Sequence, residues 1–533
     1  MRPFTRRFWP VFAAALLFAA GARAESILEV NEPGTGSRIF DQPSVAANGN
    51  TIHVAFVGDA TSGNAQGPET KLFYAAVNGA ADFTSTATTR SQVILTPAVA
   101  VDNALYSQAR HPRIAVRSAN QVFVLFQALP SDDPAAGYRL FRALLSLDNN
   151  AVVAQQVSEV RDPLGNRMSG VLIDPSFALV GSDGTAPMAY VDNTAEADGT
   201  VNVHFARFGI DNALLVGAPI RLTFLHAASR GVRPLPRLRL DGLNRSHVVW
   251  AANNDTGAAS GVYYALVKQA SPGVDSLAIG ATQVLPGGYR WGFPNVLVAA
   301  NSRILVLAAD EPFGPYDGKG LAGSIGISVL NPDGVVQNGL PVDISNVGSN
   351  ATFFLSPPGQ TVLGTNFDAY RPEAAFDGSN RVYVAGYGSL SGESPLRGTP
   401  GRFYAMTVSQ VTTNAGTIAG FAEMASSPLP VGNGELAFAG TIPGDYTRPA
   451  FVRYSGKSVL FWSGPEILSG GRNLYVTSIP SFADTPAPTT QSGCSAVDDP
   501  GRGEAGRIPG AAVLLRPAAL LALRKVSRKA FAR

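Results

Sequence analysis

The chain has 533 residues, 45% of them hydrophobic and 15% charged, with one cysteine and a formal net charge of +2. Hydrophobicity this high with so little net charge excludes a disordered chain, and one cysteine excludes a disulfide framework. The ends are basic (+4 over residues 1–24, +5 over 494–533), so the body at 25–493 carries about −7 and lacks the basic character that nucleic-acid binding requires.

The chain opens "MRPFTRRFWPVFAAALLFAAGARA". Arg2, Arg6 and Arg7 precede an apolar run that ends in Ala22-Arg23-Ala24. That order predicts a secretory signal peptide over 1–24, cleaved before Glu25, because the run is too short to be a membrane anchor.

A unit then recurs in which a proline opens an alternating run. Its seven copies are "DQPSVAANGNTIHVAFVGD", "RHPRIAVRSANQVFVLFQA", "DPSFALVGSDGTAPMAYVDN", "RPLPRLRLDGLNRSHVVWAAN", "RWGFPNVLVAANSRILVLAAD", "YRPEAAFDGSNRVYVAGYGS" and "YTRPAFVRYSGKSVLFWSGPE". The prolines fall at 43, 112, 175, 234, 294, 372 and 449, spaced 59 to 78 residues apart. Each copy is followed by a third alternating run, such as "KLFYAAVNG" or "GVYYALVKQ", and usually by a weaker fourth, such as "QVILTP". Period-two alternation between Gly, Asn, Asp and Pro marks strands. Four strands per unit at a near-constant period predict an all-β, seven-bladed β-propeller of four-stranded antiparallel blades over 25–480. A two-sheet sandwich would supply strands but no reason for seven similar openings. The last unit offers three clear strands, and "SILEV" (Ser26 to Val30) is expected to complete it, so that the ring has no loose edge.

Beyond the propeller, "SFADTPAPTTQSG" (481–493) has linker composition. Residues 494–533 hold Cys494, the apolar "IPGAAVLLRPAALLAL" and the basic "RKVSRKAFAR". An exported chain with one cysteine leaves it as a spare thiol, an intermolecular bridge or an attachment point.

Two resemblances follow from these residues. The repeat resembles the sialidase-like, or BNR, propellers, whose units read Arg-x-Pro, strand, turn, an "hVVW" run, loop and "YYA", with "SHVVWAANNDTGAASGVYYALVK" (Ser246 to Lys268) as the closest match. The Ser-x-Asp-x-Gly-x-x-x-Trp turn of that family is absent from every unit, and sialidases have six blades, which makes a six-bladed ring the alternative. The Gly-Cys, apolar, basic order of the tail resembles the MYXO-CTERM and JDVT-CTERM sorting signals, with Arg516-Pro517 as a departure. That resemblance implies a sorting protease acting near Cys494, retention at the cell surface, and membrane contact through the tail alone.

Sequence motifs for chemistry are sparse. The chain has no His-Glu-x-x-His, Gly-x-Ser-x-Gly or phosphate-loop spacing, and its five histidines lie in or beside strand-like runs without metal-ligand spacing. No cofactor is expected; "VDNTAEADGT" and "SDDPAAG" are rich in calcium-type oxygen ligands but lack the spacing of a calcium loop. In a propeller the starts of the innermost strands converge on one mouth of the central channel. Near those starts stand Arg110, Arg233, Arg290, Arg371 and Arg448, with Asp41 and Asp174 in the other two units and Tyr289, Tyr370 and Tyr446 nearby. Arginine forks suit carboxylate, sulfate or phosphate, and in sialidases three arginines hold the sugar carboxylate. The competing reading is architectural, each arginine bonding a neighbouring blade. Tyr370 with Glu373 is the one nucleophile–acid pairing on offer. Two functions therefore stand: a non-catalytic module binding an acidic glycan or a surface protein, and a sialidase-like glycoside hydrolase or lyase.

Overall fold

The computed structural model describes residues 28–31, 39–59, 70–81, 88–102, 104–179, 184–193, 200–226, 234–252, 261–271, 273–285, 291–298, 304–310, 325–331, 333–334, 367–376, 382–390, 402–408, 449–454, 457–465 and 472–479. The expected signal peptide, linker and Cys494 tail lie outside them. Almost all the described residues are strand. After β1 (Leu28–Glu29), the first meander is β2 (Ile39–Asn48), β3 (Thr51–Asp59), β4 (Thr70–Asn78) and β5 (Ile94–Ala100), with a short helix α1 (Arg90–Val93) before its last strand. The second is β6 (Tyr106–Ser118), β7 (Gln121–Pro130), β8 (Arg139–Asp148) and β9 (Ala151–Glu159). The third is β10 (Leu172–Phe177), β11 (Thr185–Asp192), β12 (Thr200–Gly209) and β13 (Ile220–His226). The fourth is β14 (Arg237–Leu240), β15 (Ser246–Ala252), β16 (Gly261–Ser271) and β17 (Val274–Leu285). Three described strands make up the fifth, β18 (Trp291–Val298), β19 (Ile304–Asp310) and β20 (Ile325–Leu330), and three the sixth, β21 (Phe367–Phe376), β22 (Val382–Leu390) and β23 (Arg402–Val408). The seventh is β24 (Ala450–Tyr454), β25 (Lys457–Pro465) and β26 (Arg472–Ile479).

Neighbouring strands within each meander pair antiparallel. The first strands β2, β6, β10, β14, β18, β21 and β24 each touch the next, and β24 returns to β2, so the meanders of described strands form a closed cycle, the first and last sharing one sheet through the parallel pairing of Ile39 on β2 with Arg472 on β26. The protein is an all-β propeller. The expected closing strand is present: β1 pairs with β26, Leu28 opposite Val476 and Glu29 opposite Tyr475. Asn31 secures it through a 3.0 Å hydrogen bond from its Nδ2 to Asn473 Oδ1, and Arg90 of α1 donates to the carbonyls of Glu29, Val30 and Asn31.

Period-two alternation builds the core between blades rather than inside them. On β7, Val124 and Phe126 pack with Val57, Leu72 and Tyr74 of the first sheet. Phe123 and Leu125, pointing the other way, pack with Met188, Tyr190 and Phe208 of the third. Middle strands are covered on both faces and read as near-continuous apolar runs, whereas the outer strands β9 and β17 are largely exposed. Arginines tie blade to blade. Arg207 on β12 makes a two-pronged ion pair with Asp275 on β17 at 3.0–3.3 Å, with side-chain exposures of 1% and 9%. Arg142 on β8, fully buried, donates to the Asp211 carbonyl of the next blade at 2.7 Å. In the first and fourth blades a buried histidine on the second strand meets a tyrosine on the third: Nδ1 of His53 and of His247 each lie 2.7 Å from the hydroxyl of Tyr74 and Tyr264. Burial lowers both histidines to about 4.

One irregularity recurs at the axis. In five blades the first strand spends one extra residue just before its proline: between Asp41 and Ser44, Arg110 and Arg113, Ile173 and Ser176, Gly292 and Asn295, and Tyr370 and Glu373. Gln42, His111, Asp174 and Phe293, each preceding its proline, adopt φ between 50° and 57°. A left-handed non-glycine residue costs about 1–2 kcal/mol, so the device is held by its surroundings. The fourth blade shows the same geometry at Leu235 (φ 44°), which puts Pro236, not Pro234, at the position of the other blade prolines. Prolines are tolerated here because the first strand has a ladder partner on one side only at the proline; β2 also pairs with β26, but only at Ile39.

Candidate functional site at the channel axis

The bulge re-aims the chain, and the residue after each proline is what the channel receives. These residues are Ser44, Arg113, Ser176, Arg237, Asn295, Glu373 and Ala450. Six of the seven line a cavity of about 80 Å³ at the axis, and the seventh, Asn295, hydrogen-bonds to Glu373. On β14 alternation adds Arg239 to the lining while Leu238, 1% exposed, turns back into the core.

The polar groups divide into engaged and available. Glu373 accepts from Arg237 Nη2 at 2.8 Å through Oε2 and from Asn295 Nδ2 at 3.1 Å through Oε1, joining the fourth, fifth and sixth blades. Ser44 Oγ accepts the Ile114 N–H at 3.1 Å, and Ser176 Oγ accepts the Leu238 N–H at 3.0 Å. Each hydroxyl thus serves the next blade's backbone as an acceptor and keeps its proton to donate. Arg113 Nη1 donates to the Pro112 carbonyl at 3.3 Å. Arg239 makes no hydrogen bond or ion pair among the described residues. Much of its surface is accessible beside the cavity. Loss of bulk water around it lowers its guanidinium from the ordinary arginine value; Glu373 opposes that fall and Arg237 adds to it. Three arginines and one glutamate leave a formal charge of +2 on this lining.

The residues expected from the sequence are placed as follows. Arg110 stacks its guanidinium 5.3 Å from the centre of the Tyr138 ring, and its Nε is buried without a hydrogen bond. Asp174 is buried; its Oδ1 lies 3.8 Å from His111 Nε2 and its N–H donates to Gln127. Asp41 is also buried and accepts the Gln42 N–H. Tyr370 and Arg371 fall on β21 before Glu373, and their side chains lie outside what is described. Arg233, Arg290, Arg448, Tyr289, Tyr446 and Cys494 lie outside the described residues. Counted from the blade prolines, Arg110 stands two residues before and Arg371 and Arg448 one before, so these arginines are not structurally equivalent. Glu373 lies in the channel, and Arg113, Arg237, Arg239, Ser44, Ser176 and Asn295 join it there without having been singled out by the sequence. Their signal is the residue following each proline, readable only once Pro236 is recognised as the fourth.

Among the described lining residues Glu373 is the one carboxylate, and both its oxygens are engaged, whereas glycoside hydrolysis ordinarily needs two carboxyl groups about 5–10 Å apart. Among the described residues no His, Cys, Asp and Glu group is arranged to hold a metal ion. Asp132 and Asp133 of the oxygen-rich "SDDPAAG" loop are ion-paired with Arg167. No described helix is long and apolar enough to cross a membrane.

No family model and no curated protein matches the chain. Similar solved structures include the polysaccharide lyase Uly1 (TM-score 0.44, 9% identity, covering 82% of this chain and 90% of that one). They also include an α-L-arabinofuranosidase from Fusarium graminearum (TM-score 0.38, 10% identity, 86% and 98%) and a sialidase from Trypanosoma rangeli (TM-score 0.36, 8% identity, 86% and 58%).

Proposed function

We propose that this protein is an exported propeller, held at the cell surface by its C-terminal tail, that binds an acidic glycan at the axial channel without chemistry. The observation that carries the reading is Arg239, an accessible guanidinium with no hydrogen bond or ion pair among the described residues, beside Arg113 and Arg237. An accessible guanidinium fork without a partner keeps its donors for an acidic ligand. The absence of catalysis is supported by Glu373, whose oxygens are committed to Arg237 and Asn295. Export and retention rest on the N-terminal pattern and on Cys494 in its Gly-Cys, apolar, basic context.

The test is a glycan array probed with the purified wild-type protein and the Arg239→Gln variant. Retention of acidic glycans by the wild type, lost in the variant, is the expected outcome. Equal retention by both, or cleavage of any bound glycan, would overturn the reading. For the tail, Cys494→Ala should release the protein into the medium or leave it unprocessed; unchanged surface retention would reject that role.

A further inference from the structure

The size, charge and donor geometry of the channel say more about the group that enters it. A cavity of about 80 Å³ is far below the several hundred Å³ of an ordinary small-molecule pocket. Its narrow accessible space suits one small terminal group. The donors come from four blades around the axis: Ser44 from the first, Arg113 from the second, Ser176 from the third, and Arg237 and Arg239 from the fourth. They are not arranged as one planar fork, which is the arrangement a carboxylate matches best. The serine hydroxyls are held by the next blade's N–H groups at 3.1 and 3.0 Å, which fixes their oxygens at the lining. The one carboxylate among the described lining residues, Glu373, is turned to Arg237 and Asn295. What remains is a set of donors with a formal +2 charge around an axis.

We propose that the channel binds a tetrahedral oxyanion, as free sulfate or phosphate or as the terminal sulfate or phosphate ester of a larger molecule, through Arg239, Arg237, Arg113, Ser44 and Ser176. This rests on the channel being the binding site, and it narrows the acidic group from any anion to one whose oxygens point in three dimensions. Arg239 is the decisive contact, because it makes no other described polar contact.

The experiment is a melting series of the full chain at constant ionic strength with sodium sulfate, sodium phosphate, sodium acetate or sodium glucuronate at low-millimolar concentration, below the range where sulfate stabilises proteins by exclusion. The expected result is a saturating rise in Tm with sulfate and phosphate and none with the two carboxylates. Arg239→Gln should abolish the rise. Arg239→Lys, which keeps the charge and loses the fork, should weaken the apparent affinity roughly ten- to a hundred-fold. No saturating rise in the wild type, a rise that survives in Arg239→Gln, or an equal rise with acetate or glucuronate would each overturn the proposal. Glucose 6-sulfate and glucose 6-phosphate identify the source: tighter binding than the free ions assigns a terminal ester, and binding of the free ions alone assigns the inorganic anion. Uronate-glycan binding that depends on Arg239, with no response to sulfate, would sink this inference and leave the broader reading standing. A sulfate response with no glycan retained would do the reverse.

Discussion

Arg207 and Arg239 are the same residue type on the same propeller and are used in opposite ways. Arg207 lies between the third and fourth blades, 1% exposed, with both prongs of its fork on Asp275. Arg239 lies at the axis with no described partner and with its surface open to the cavity. In a repeat protein a residue's place along the unit decides its role. The seams between blades need closed pairs, because an unpaired charge there is buried against apolar side chains. At the axis a donor can be kept open for something arriving from outside.

The strongest way to break this comparison is to remove Arg207. Arg207→Ala strands Asp275, whose side chain is 9% exposed, and should lower stability by about 3–5 kcal/mol in urea unfolding. A loss below about 1 kcal/mol would mean that the seam does not depend on the pair.

The buried histidines sharpen it with a pH dependence. His53 and His247 are held neutral, lowered from 6.5 to about 4 by burial. The unfolded chain takes up their protons below 6.5 while the fold refuses them until about 4, so their stability contribution is complete above 6.5 and is lost as the pH falls towards 4. At pH 5 each should cost roughly 2 kcal/mol relative to neutral pH. His53→Gln should remove about half of the slope between pH 7 and pH 5; an unchanged slope would contradict the assignment.

Smaller effects follow at the surface and at the axis. Arg117→Ala breaks a 2.6 Å pair with Asp211 whose side chains are 31% and 67% exposed, and it should cost under about 1 kcal/mol, less at high salt. Arg239→Gln should leave stability within about 0.5 kcal/mol of the wild type, because no described pair is broken. A drop as large as that of Arg207→Ala would turn Arg239 into scaffold and erase the contrast.

The sequence carries the blades openly because strands with one covered face alternate, and each blade repeats the same proline. It carries the bulge less openly. In "RPLPRLRL" two prolines compete, and only Leu235 in the left-handed region shows that Pro236 is the equivalent one. The channel residues are one step beyond that. Side chains after the proline face the axis because of the extra residue before it, and alternation without the bulge assigns them no such place. The Arg207–Asp275 pair, 68 residues apart, has no local pattern at all. Such pairs are set by how neighbouring sheets stack, which is known only when the ring is closed.

The closing strand has a consequence for how the protein is made. Asn31 and Asn473 are separated by 442 positions, yet they bond side chain to side chain in one sheet. A chain synthesised from its N-terminus presents β1 early and β26 late, so β1 must wait with unpaired edges while the intervening blades form. Such non-local pairings are slow to form. Joining the first strand to the last is therefore the final step available to the chain, and before it the partly assembled ring exposes two sticky strand edges. The axial channel, lined by residues of the inner strands, is complete only at that moment. A ring that has not closed lacks the complete axial lining.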